Sequence, residues 1–313
     1  MSIQKRQIGT SGLEVAPLAL GGNVFGWTAD EQVSFDLLDA FVDAGGTMID
    51  TADVYSAWVP GHVGGESETV IGKWLKHDPA KRERIVIATK VGFMAGLAPD
   101  TIAPTCDASL RRLGVETIDL YYQHKDDESV PLADSLGAFD ALRRAGKIAA
   151  IGLSNFTAPR VEEALDTSIA NGFDQPAALQ NWYNLVERGK YEGALQDVTV
   201  GRGLAMFPYY GLANGFLSGK YRSKDDLAQS PRGLRSVDYL EGKGPRVLAA
   251  MEEVAGETGA AMATVALAWL KTQPGITAPI ASATSLKQLE ELIAALSLEL
   301  TPGQIGALNA ASE

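Results

Sequence analysis

Cysteine and long apolar runs are scarce in this chain of 313 residues. Its one cysteine, Cys106, excludes an intramolecular disulfide, as is usual in proteins of reducing compartments. No segment approaches the ~18 consecutive apolar residues of a membrane-spanning helix. The N-terminal MSIQKRQIG also lacks the long apolar core of a secretion signal. We therefore expect a soluble, cytoplasmic protein with no membrane partner.

Basic residues are also fewer than acidic ones. The chain has 27 Lys and Arg against 39 Asp and Glu, which gives a formal net charge of −12. Because nucleic-acid binding needs a basic surface, we expect no nucleic-acid partner. Three histidines and one cysteine without zinc-type spacing predict no metal site. An anionic cofactor would need a local basic patch within this acidic chain.

A regular alternation of short apolar runs with helical patterns is the main feature that is present. This order predicts parallel strands joined by right-handed crossovers. A doubly wound open sheet would alternate similarly, but no strand is followed by the G-x-G-x-x-G turn that opens a dinucleotide-binding helix. We therefore predict a single (β/α)8 TIM barrel domain over residues 1–313. The predicted strands lie at 18–20, 47–50, 85–89, 120–123, 149–153, 177–180, 204–208 and 277–280.

Further elements flank this repeating pattern. The segment RQIGTSGLEVAP predicts a short N-terminal β-hairpin that closes the bottom of the barrel, and extra C-terminal helices end the chain. We place the start of the third helix between residues 105 and 108. Cys106 then lies near that start, and we interpret it as a packed structural thiol. The predicted helices lie at 31–44, 66–75, 108–113, 133–145, 158–171, 191–199, 245–257, 261–272, 286–296 and 301–310.

Polar side chains occur at or just beyond the ends of three predicted strands. They are Asp50 and Tyr55 in TMIDTADVY, Lys90 in RIVIATKVG and His124 in IDLYYQHKDD. The carboxyl ends of barrel strands form one rim, so we expect these four groups to converge there. An ammonium can lower the pKa of a phenol, a carboxylate can hold the ammonium, and an imidazole can orient a substrate oxygen. Singly, each residue could be a cap, a surface charge or a packed ring, but their order along the chain favours a proton-transfer site.

These motifs resemble the aldo-keto reductases, which are NAD(P)-dependent carbonyl reductases built on a (β/α)8 barrel. The resemblance runs from KRQIGTSGLEVAPLALGG to PIASATSLKQLEEL, so it covers nearly the whole chain. It implies that Tyr55 is the acid that protonates the carbonyl oxygen, that Lys90 and Asp50 adjust the pKa of Tyr55, and that His124 orients the substrate. A free tyrosine has a pKa of about 10, so we expect Lys90 to lower the pKa of Tyr55.

The resemblance also implies a nicotinamide dinucleotide site. Ser154, Asn155 and Gln180 would hold the carboxamide, and Tyr209 would stack on the nicotinamide ring. The position of Tyr210 is often a small serine in relatives, and we interpret this tyrosine as a packing residue. Cofactor contacts are further implied along the strand-end loops and the last barrel helix, at Gly22, Asn23, Leu212, Gly215, Ser218, Lys220, Ser282, Thr284 and Gln288.

Cofactor preference depends on the segment around the adenosine 2′-phosphate. Relatives that prefer NADPH often carry Arg or Lys there, whereas this chain has Ser282, Thr284 and Gln288 with only Lys287 nearby. The resemblance favours NADP(H), with NAD(H) as the alternative. The long loop 211–243 carries further basic residues, namely Lys220, Arg222, Lys224, Arg232 and Arg235.

Aromatic residues in the strand-end loops predict an apolar substrate pocket. Trp27, Trp58 and Phe93 are the main candidates, with Trp182 beside them, and the long segment 57–65 is expected to shape the mouth. We therefore expect a small-molecule carbonyl or alcohol substrate, such as an aldehyde, a ketone or a sugar-like compound. A monomer and a homo-oligomer are both compatible with the sequence.

Two other functions fit parts of the pattern. Potassium-channel β-subunits resemble the same family, so a cofactor-sensing regulatory subunit is one alternative. A barrel hydrolase or isomerase that uses Asp50 and His124 is another, but it leaves Ser154, Asn155 and Gln180 without a role. Turnover well beyond one hydride per protein would distinguish the enzyme from the regulatory subunit.

Overall fold

A computed structural model describes residues 3–230 and 233–313, so Arg232 and the first two residues of the N-terminal segment lie outside the described part. The chain begins with two antiparallel strands, β1 (Arg6–Gln7) and β2 (Glu14–Val15). These strands form the predicted hairpin.

Eight parallel strands form the sheet that follows within the described residues. Their spatial order is β10-β3-β4-β5-β6-β7-β8-β9, so strands consecutive in sequence are neighbours, unlike in a doubly wound sheet. They are β3 (Ala19–Gly21), β4 (Met48–Asp50), β5 (Val86–Val91), β6 (Ile118–Gln123), β7 (Ile148–Ser154), β8 (Ala178–Gln180), β9 (Ala205–Met206) and β10 (Ile280–Ala281).

The last strands close the sheet on itself. Met206 N donates to Gly275 O at 3.0 Å, Thr277 N donates to Met206 O at 2.8 Å, and Ile280 N donates to Pro208 O at 2.9 Å. The strands predicted at 204–208 and 277–280 are therefore shorter as regular strands, but the segments around them still bridge the two edges. This closure confirms the (β/α)8 barrel.

The hairpin packs against the amino-terminal end of the barrel. Ile8 and Val15 are fully buried in one apolar cluster with Met48, Val86 and Leu120, which lie near the starts of their strands. Apolar side chains therefore fill this end of the barrel.

Helices surround the sheet and bury their apolar faces against it. Side-chain caps start some of them: Asp30 accepts a hydrogen bond from Val33 N, and Thr301 forms a capping box with Gln304. No helix in residues 3–230 and 233–313 is long and apolar enough to cross a bilayer. The helices are α1 (Glu31–Asp43), α2 (Glu66–His77), α3 (Pro99–Leu113), α4 (Leu132–Arg144), α5 (Ala158–Asn171), α6 (Ala194–Gly201), α7 (Gly244–Thr258), α8 (Met262–Lys271), α9 (Leu286–Ile293) and α10 (Pro302–Ser312).

The predicted start of the third helix is wrong. Helix α3 begins at Pro99, so Cys106 lies in its middle and not near its start. Proline usually ends a helix because it lacks an N–H group, but Pro104 is accommodated within α3, where Ile102 and Cys106 are buried on one face. Burial raises the pKa of Cys106 to about 12, as expected for a packed thiol.

The predicted start of the sixth helix is also wrong. The segment from Arg188 to Lys190 is a separate 3-10 turn, and α6 begins only at Ala194. Gly193 has φ 92° and ψ −136°, a conformation that cannot continue a helix.

Candidate active site

The four strand-end residues converge at the carboxyl rim of the barrel. Asp50 is the last residue of β4, Lys90 lies near the end of β5, and His124 directly follows β6. Tyr55 comes from the loop after β4. Asp50, Tyr55 and His124 line a cavity of about 790 Å³, whereas Lys90 lies buried behind them.

Lys90 connects the members of this group. Its Nζ donates to Asp50 Oδ2 at 2.7 Å, to Thr51 O at 2.7 Å and to Tyr55 OH at 3.3 Å. An ammonium has three N–H donors, so all three are used. The second carboxylate oxygen, Asp50 Oδ1, accepts from Gln180 Nε2 at 2.8 Å. The ion pair is therefore held in one geometry, with one N–H directed at the phenol oxygen.

The expected lowering of the Tyr55 pKa is not observed. Burial raises the pKa of Tyr55 well above its usual value, and the nearby Asp50 carboxylate raises it further. Desolvation therefore outweighs the single 3.3 Å contact with Lys90. Tyr55 keeps its proton near neutral pH, which suits a proton donor more than a base.

His124 is a neutral imidazole at this site. Burial lowers its pKa well below the usual value, and Lys90 lowers it further. Its side chain is nearly enclosed at 7% exposure, and its ring lies 6.0 Å from the Tyr55 ring, measured between centroids. A neutral imidazole retains one N–H donor, which can hydrogen-bond an uncharged substrate oxygen.

Polar side chains from β7 and β8 form a second cluster beside Asp50. Asn155 Nδ2 donates to the His124 carbonyl at 2.8 Å, and Asn155 Oδ1 accepts from the Tyr209 hydroxyl at 2.6 Å. Ser154 and Gln180 line the same part of the cavity. The structure thus brings Tyr209 together with Ser154, Asn155 and Gln180, the three residues that the resemblance assigns to a carboxamide.

The remaining predicted cofactor residues are only partly brought together. Ser282 Oγ donates to Asn23 Oδ1 at 2.7 Å across the cavity wall. Gln288 lines the cavity, but its Oε1 already accepts from Thr284 N at 2.9 Å. Gly22 and Thr284 do not line the cavity. The other predicted residues that do line it are Leu212, Gly215, Ser218 and Lys220.

Some lining residues were not assigned to the site from the sequence. Arg235 and Asn214, both in the segment after β9, reach the cavity, as does Val54 beside Tyr55. Their contribution depends on how the long loop folds over the barrel, which no local sequence signal encodes. Tyr210, interpreted as a packing residue, both packs on Trp182 at 5.1 Å between centroids and lines the cavity.

Aromatic side chains form the other end of the cavity. Trp58 packs edge-on against both Trp27 and Tyr55, with centroids 5.7 Å apart in each pair. Phe93 lies 4.9 Å from the His124 ring. Trp58 is 46% exposed and Phe93 is 52% exposed, so they form an apolar rim. The cavity therefore has an aromatic end and a polar, partly basic end, with Asp50 and Tyr55 between them.

Residues 17–313 match the model of the Aldo/keto reductase family. The chain is 32% identical to an uncharacterised oxidoreductase, YrpG, of Bacillus subtilis over 313 residues, covering 96% of this chain and 94% of that protein. It is 31% identical to the aldo-keto reductase str7 of Strobilurus tenacellus over 315 residues, covering 98% and 89%. It is 28% identical to the L-glyceraldehyde 3-phosphate reductase of Escherichia coli over 312 residues, covering 94% and 88%.

Proposed function

Because the chain belongs to the aldo/keto reductase family, we propose that it is an NAD(P)H-dependent oxidoreductase that reduces an aldehyde or ketone to the alcohol. The contact that carries the proposal is Lys90 Nζ to Tyr55 OH at 3.3 Å, next to the buried Lys90–Asp50 ion pair. This arrangement places a protonated phenol beside a fixed positive charge at the floor of the cavity. We further propose that residues 1–313 form one catalytic unit.

Each residue of the group has a distinct task in this proposal. Tyr55 holds the proton and gives it to the carbonyl oxygen, and Lys90 stabilises the phenolate left behind. Burial lowers the pKa of Lys90, and the ion pair with Asp50 opposes that shift and so favours the charged form of the lysine. His124 donates a hydrogen bond to the same carbonyl oxygen and so orients the substrate. A bound reduced nicotinamide supplies the hydride to the carbonyl carbon.

The residues at the polar end of the cavity fit a nicotinamide dinucleotide. A carboxamide has one acceptor and two donors, which Ser154, Asn155 and Gln180 can match. Lys220, Lys287 and Arg235 line the cavity and can pair with phosphates. The Thr284 and Gln288 side chains, which the sequence placed near the 2′-phosphate, are hydrogen-bonded to each other. We therefore propose that the three basic residues contribute more than Thr284 and Gln288 to a preference for NADP(H) over NAD(H).

The direct test follows reduced-nicotinamide absorbance with 4-nitrobenzaldehyde, using NADPH and NADH in parallel. We expect many turnovers per protein molecule. At low cofactor concentration, turnover should be faster with NADPH than with NADH. Tight cofactor binding without turnover would contradict the reductase and favour the cofactor-sensing regulatory subunit.

The proton donor is tested by Tyr55→Phe. We expect turnover to fall about 10²–10⁴-fold, the usual contribution of a general acid, while cofactor binding is retained. Tyr121→Phe is the matched control, because the Tyr121 hydroxyl is buried and has no hydrogen-bond partner among the described residues. Turnover retained in Tyr55→Phe would remove Tyr55 from the acid role.

A further inference from the structure

The loop that directly follows Tyr55 folds back on its own start. Residues 56–64 leave the Tyr55 position and return to it, where Gly65 N donates to Tyr55 O at 2.8 Å. Gly64 has φ 98°, and a Cβ there would lie 2.9 Å from Asp53 O. The loop is thus closed at its base against the segment that carries Tyr55, and Trp58 lies within it.

The carboxylate of Glu66 holds both ends of this loop. It accepts hydrogen bonds from Val63 N at 2.8 Å, from Gly64 N at 3.0 Å and from Ser56 N at 3.2 Å. Burial alone would raise the pKa of Glu66, but hydrogen bonds from backbone N–H groups, including those of Val63 and Ser56, lower it, so the group is a carboxylate at neutral pH. Such charge-assisted hydrogen bonds are stronger than neutral ones.

A second contact crosses the same loop. Ser56 Oγ and His62 Nδ1 are 3.0 Å apart. Together with Glu66, this contact orders a loop whose glycines would otherwise allow many conformations. The ordered loop presents Trp58 to the rings of Trp27 and Tyr55.

Charge is distributed unequally along the cavity that this loop borders. Among the residues that the structure describes, the cationic ones that line it are Lys220, Arg235 and Lys287, which come from the segment after β9 and from α9. The end formed by Trp27, Trp58 and Phe93 contributes aromatic surface. A flat apolar group is therefore matched there by shape and by ring–ring contact.

We infer that Glu66 is a positioning residue for the substrate end of the site: it holds loop 56–64 so that Trp58 forms, with Trp27, a wall for an aromatic carbonyl substrate. Glu66 itself does not line the cavity. It acts through the backbone that places Trp58. This inference rests on the proposed reductase function, and it adds the substrate class and the residue that sets it.

The test compares Glu66→Ala and Glu66→Gln with the wild-type protein on two substrates, 4-nitrobenzaldehyde and propanal. We expect the KM for 4-nitrobenzaldehyde to rise about tenfold in Glu66→Ala, equivalent to about 1.4 kcal/mol. The KM for propanal should stay nearly unchanged, because propanal is too small to use the Trp58 wall. The kcat and the Kd for NADPH should also stay close to wild type. Glu66→Gln keeps the side-chain length and one acceptor oxygen, and should lie between the two proteins.

Amide hydrogen exchange supplies a readout that does not depend on turnover. Protection at Ser56, Val63 and Gly64 should fall in Glu66→Ala, because the acceptor of these three amides is lost. Glu31→Gln is the matched control: Glu31 is also the first residue of a helix, and its carboxylate pairs with Lys73 on the surface.

The outcomes separate the two proposals. Unchanged protection in Glu66→Ala, or an equal rise in KM for both aldehydes, would overturn the positioning role. No turnover from the wild-type protein would overturn the reductase function, while lost protection in the variant would still support the role of Glu66 in ordering the loop.

Discussion

At the scale of single residues, the buried Lys90 and Asp50 are paired with each other, whereas the carboxyl group of Asp53 is not fully hydrogen-bonded within the part of the chain that the structure describes. Lys90 and Asp50 are both almost fully buried, and every donor of the ammonium has an acceptor. Asp53, three residues after Asp50, is in the opposite situation. Its Oδ1 is buried without a hydrogen-bond partner among the described residues. Burial, together with the nearby Glu68 carboxylate, raises the pKa of Asp53 to about 7.

Asp53→Asn should therefore stabilise the protein by an amount that grows as the pH rises from about 4 to about 7. A raised carboxyl pKa means that the folded chain holds this proton between about pH 4 and pH 7, where the unfolded chain has lost it. The free energy of unfolding therefore falls progressively from about pH 4 to about pH 7 and does not fall further above pH 7. We expect the variant to gain roughly 1–3 kcal/mol of unfolding free energy at pH 8 and less at pH 5, where only part of this loss has built up.

Urea unfolding of both proteins at the two pH values measures this difference. Asp238→Asn, at an exposed position, is the control and should change stability little at either pH. A gain of equal size at pH 5 and pH 8 would show that titration of Asp53 is not its cause.

At the scale of helices and strands, close backbone contact between α2 and α3 holds the helix that follows the Trp58 loop. A Cβ on Gly72 of α2 would lie 2.0 Å from the carbonyl oxygen of Arg112 in α3. The same helices are joined by the pair Arg112–Glu68, and Glu68 also accepts from Thr89 of β5 at 2.5 Å. Since α2 follows directly on the Trp58 loop, this packing fixes the base from which Glu66 acts.

Gly72→Ala should reverse the usual effect of removing a helical glycine. Glycine to alanine inside a helix normally stabilises by about 0.5–1 kcal/mol. Here the added methyl meets backbone that cannot move aside, so we expect a loss of about 2 kcal/mol or more. Gly256→Ala in α7 is the control, because nothing lies within 4 Å of the added Cβ, and it should stabilise. Thermal unfolding of the two variants measures the contrast, and stabilisation by both would mean that α2 can shift away from α3.

The whole molecule is a closed barrel with one end filled by apolar side chains and a cavity at the other. The hairpin and the apolar strand starts fill the amino-terminal end. The opposite rim combines an aromatic end with a basic end inside a chain of net charge −12. An anionic cofactor therefore depends on a few local cations, because the global field repels it.

NADPH should protect the whole fold against unfolding more than NADH at equal concentration. A ligand at 100 times its Kd adds about 2.7 kcal/mol to the free energy of unfolding, and the extra phosphate of NADPH can pair with Lys220, Arg235 or Lys287. Thermal unfolding with each cofactor measures the difference, which should shrink as salt screens these exposed charges. Tyr55→Phe should keep the full shift. Equal shifts with both cofactors would contradict a preference for NADPH.

The sequence by itself determined the order of the strands and helices, and it identified the four polar residues that meet at the carboxyl rim of the barrel. Alternating strands and helices without a G-x-G-x-x-G turn led to the barrel, because consecutive parallel strands lie side by side. Asp50, Tyr55, Lys90 and His124 could be identified because strand ends share one rim, so position along the chain predicts position in space.

Only the tertiary structure decided what depends on burial and on contacts between distant segments. The predicted start of α3 between residues 105 and 108 is too late, because packing of Ile102 and Cys106 against the core extends the helix to Pro99. The pKa of Tyr55 is raised and not lowered, because desolvation depends on every neighbour and not on Lys90 alone. The contacts of Glu66 with loop 56–64 likewise exist only once the loop has folded back. Their donors are backbone amides, which every residue except proline has, so the residue types in the loop do not reveal them.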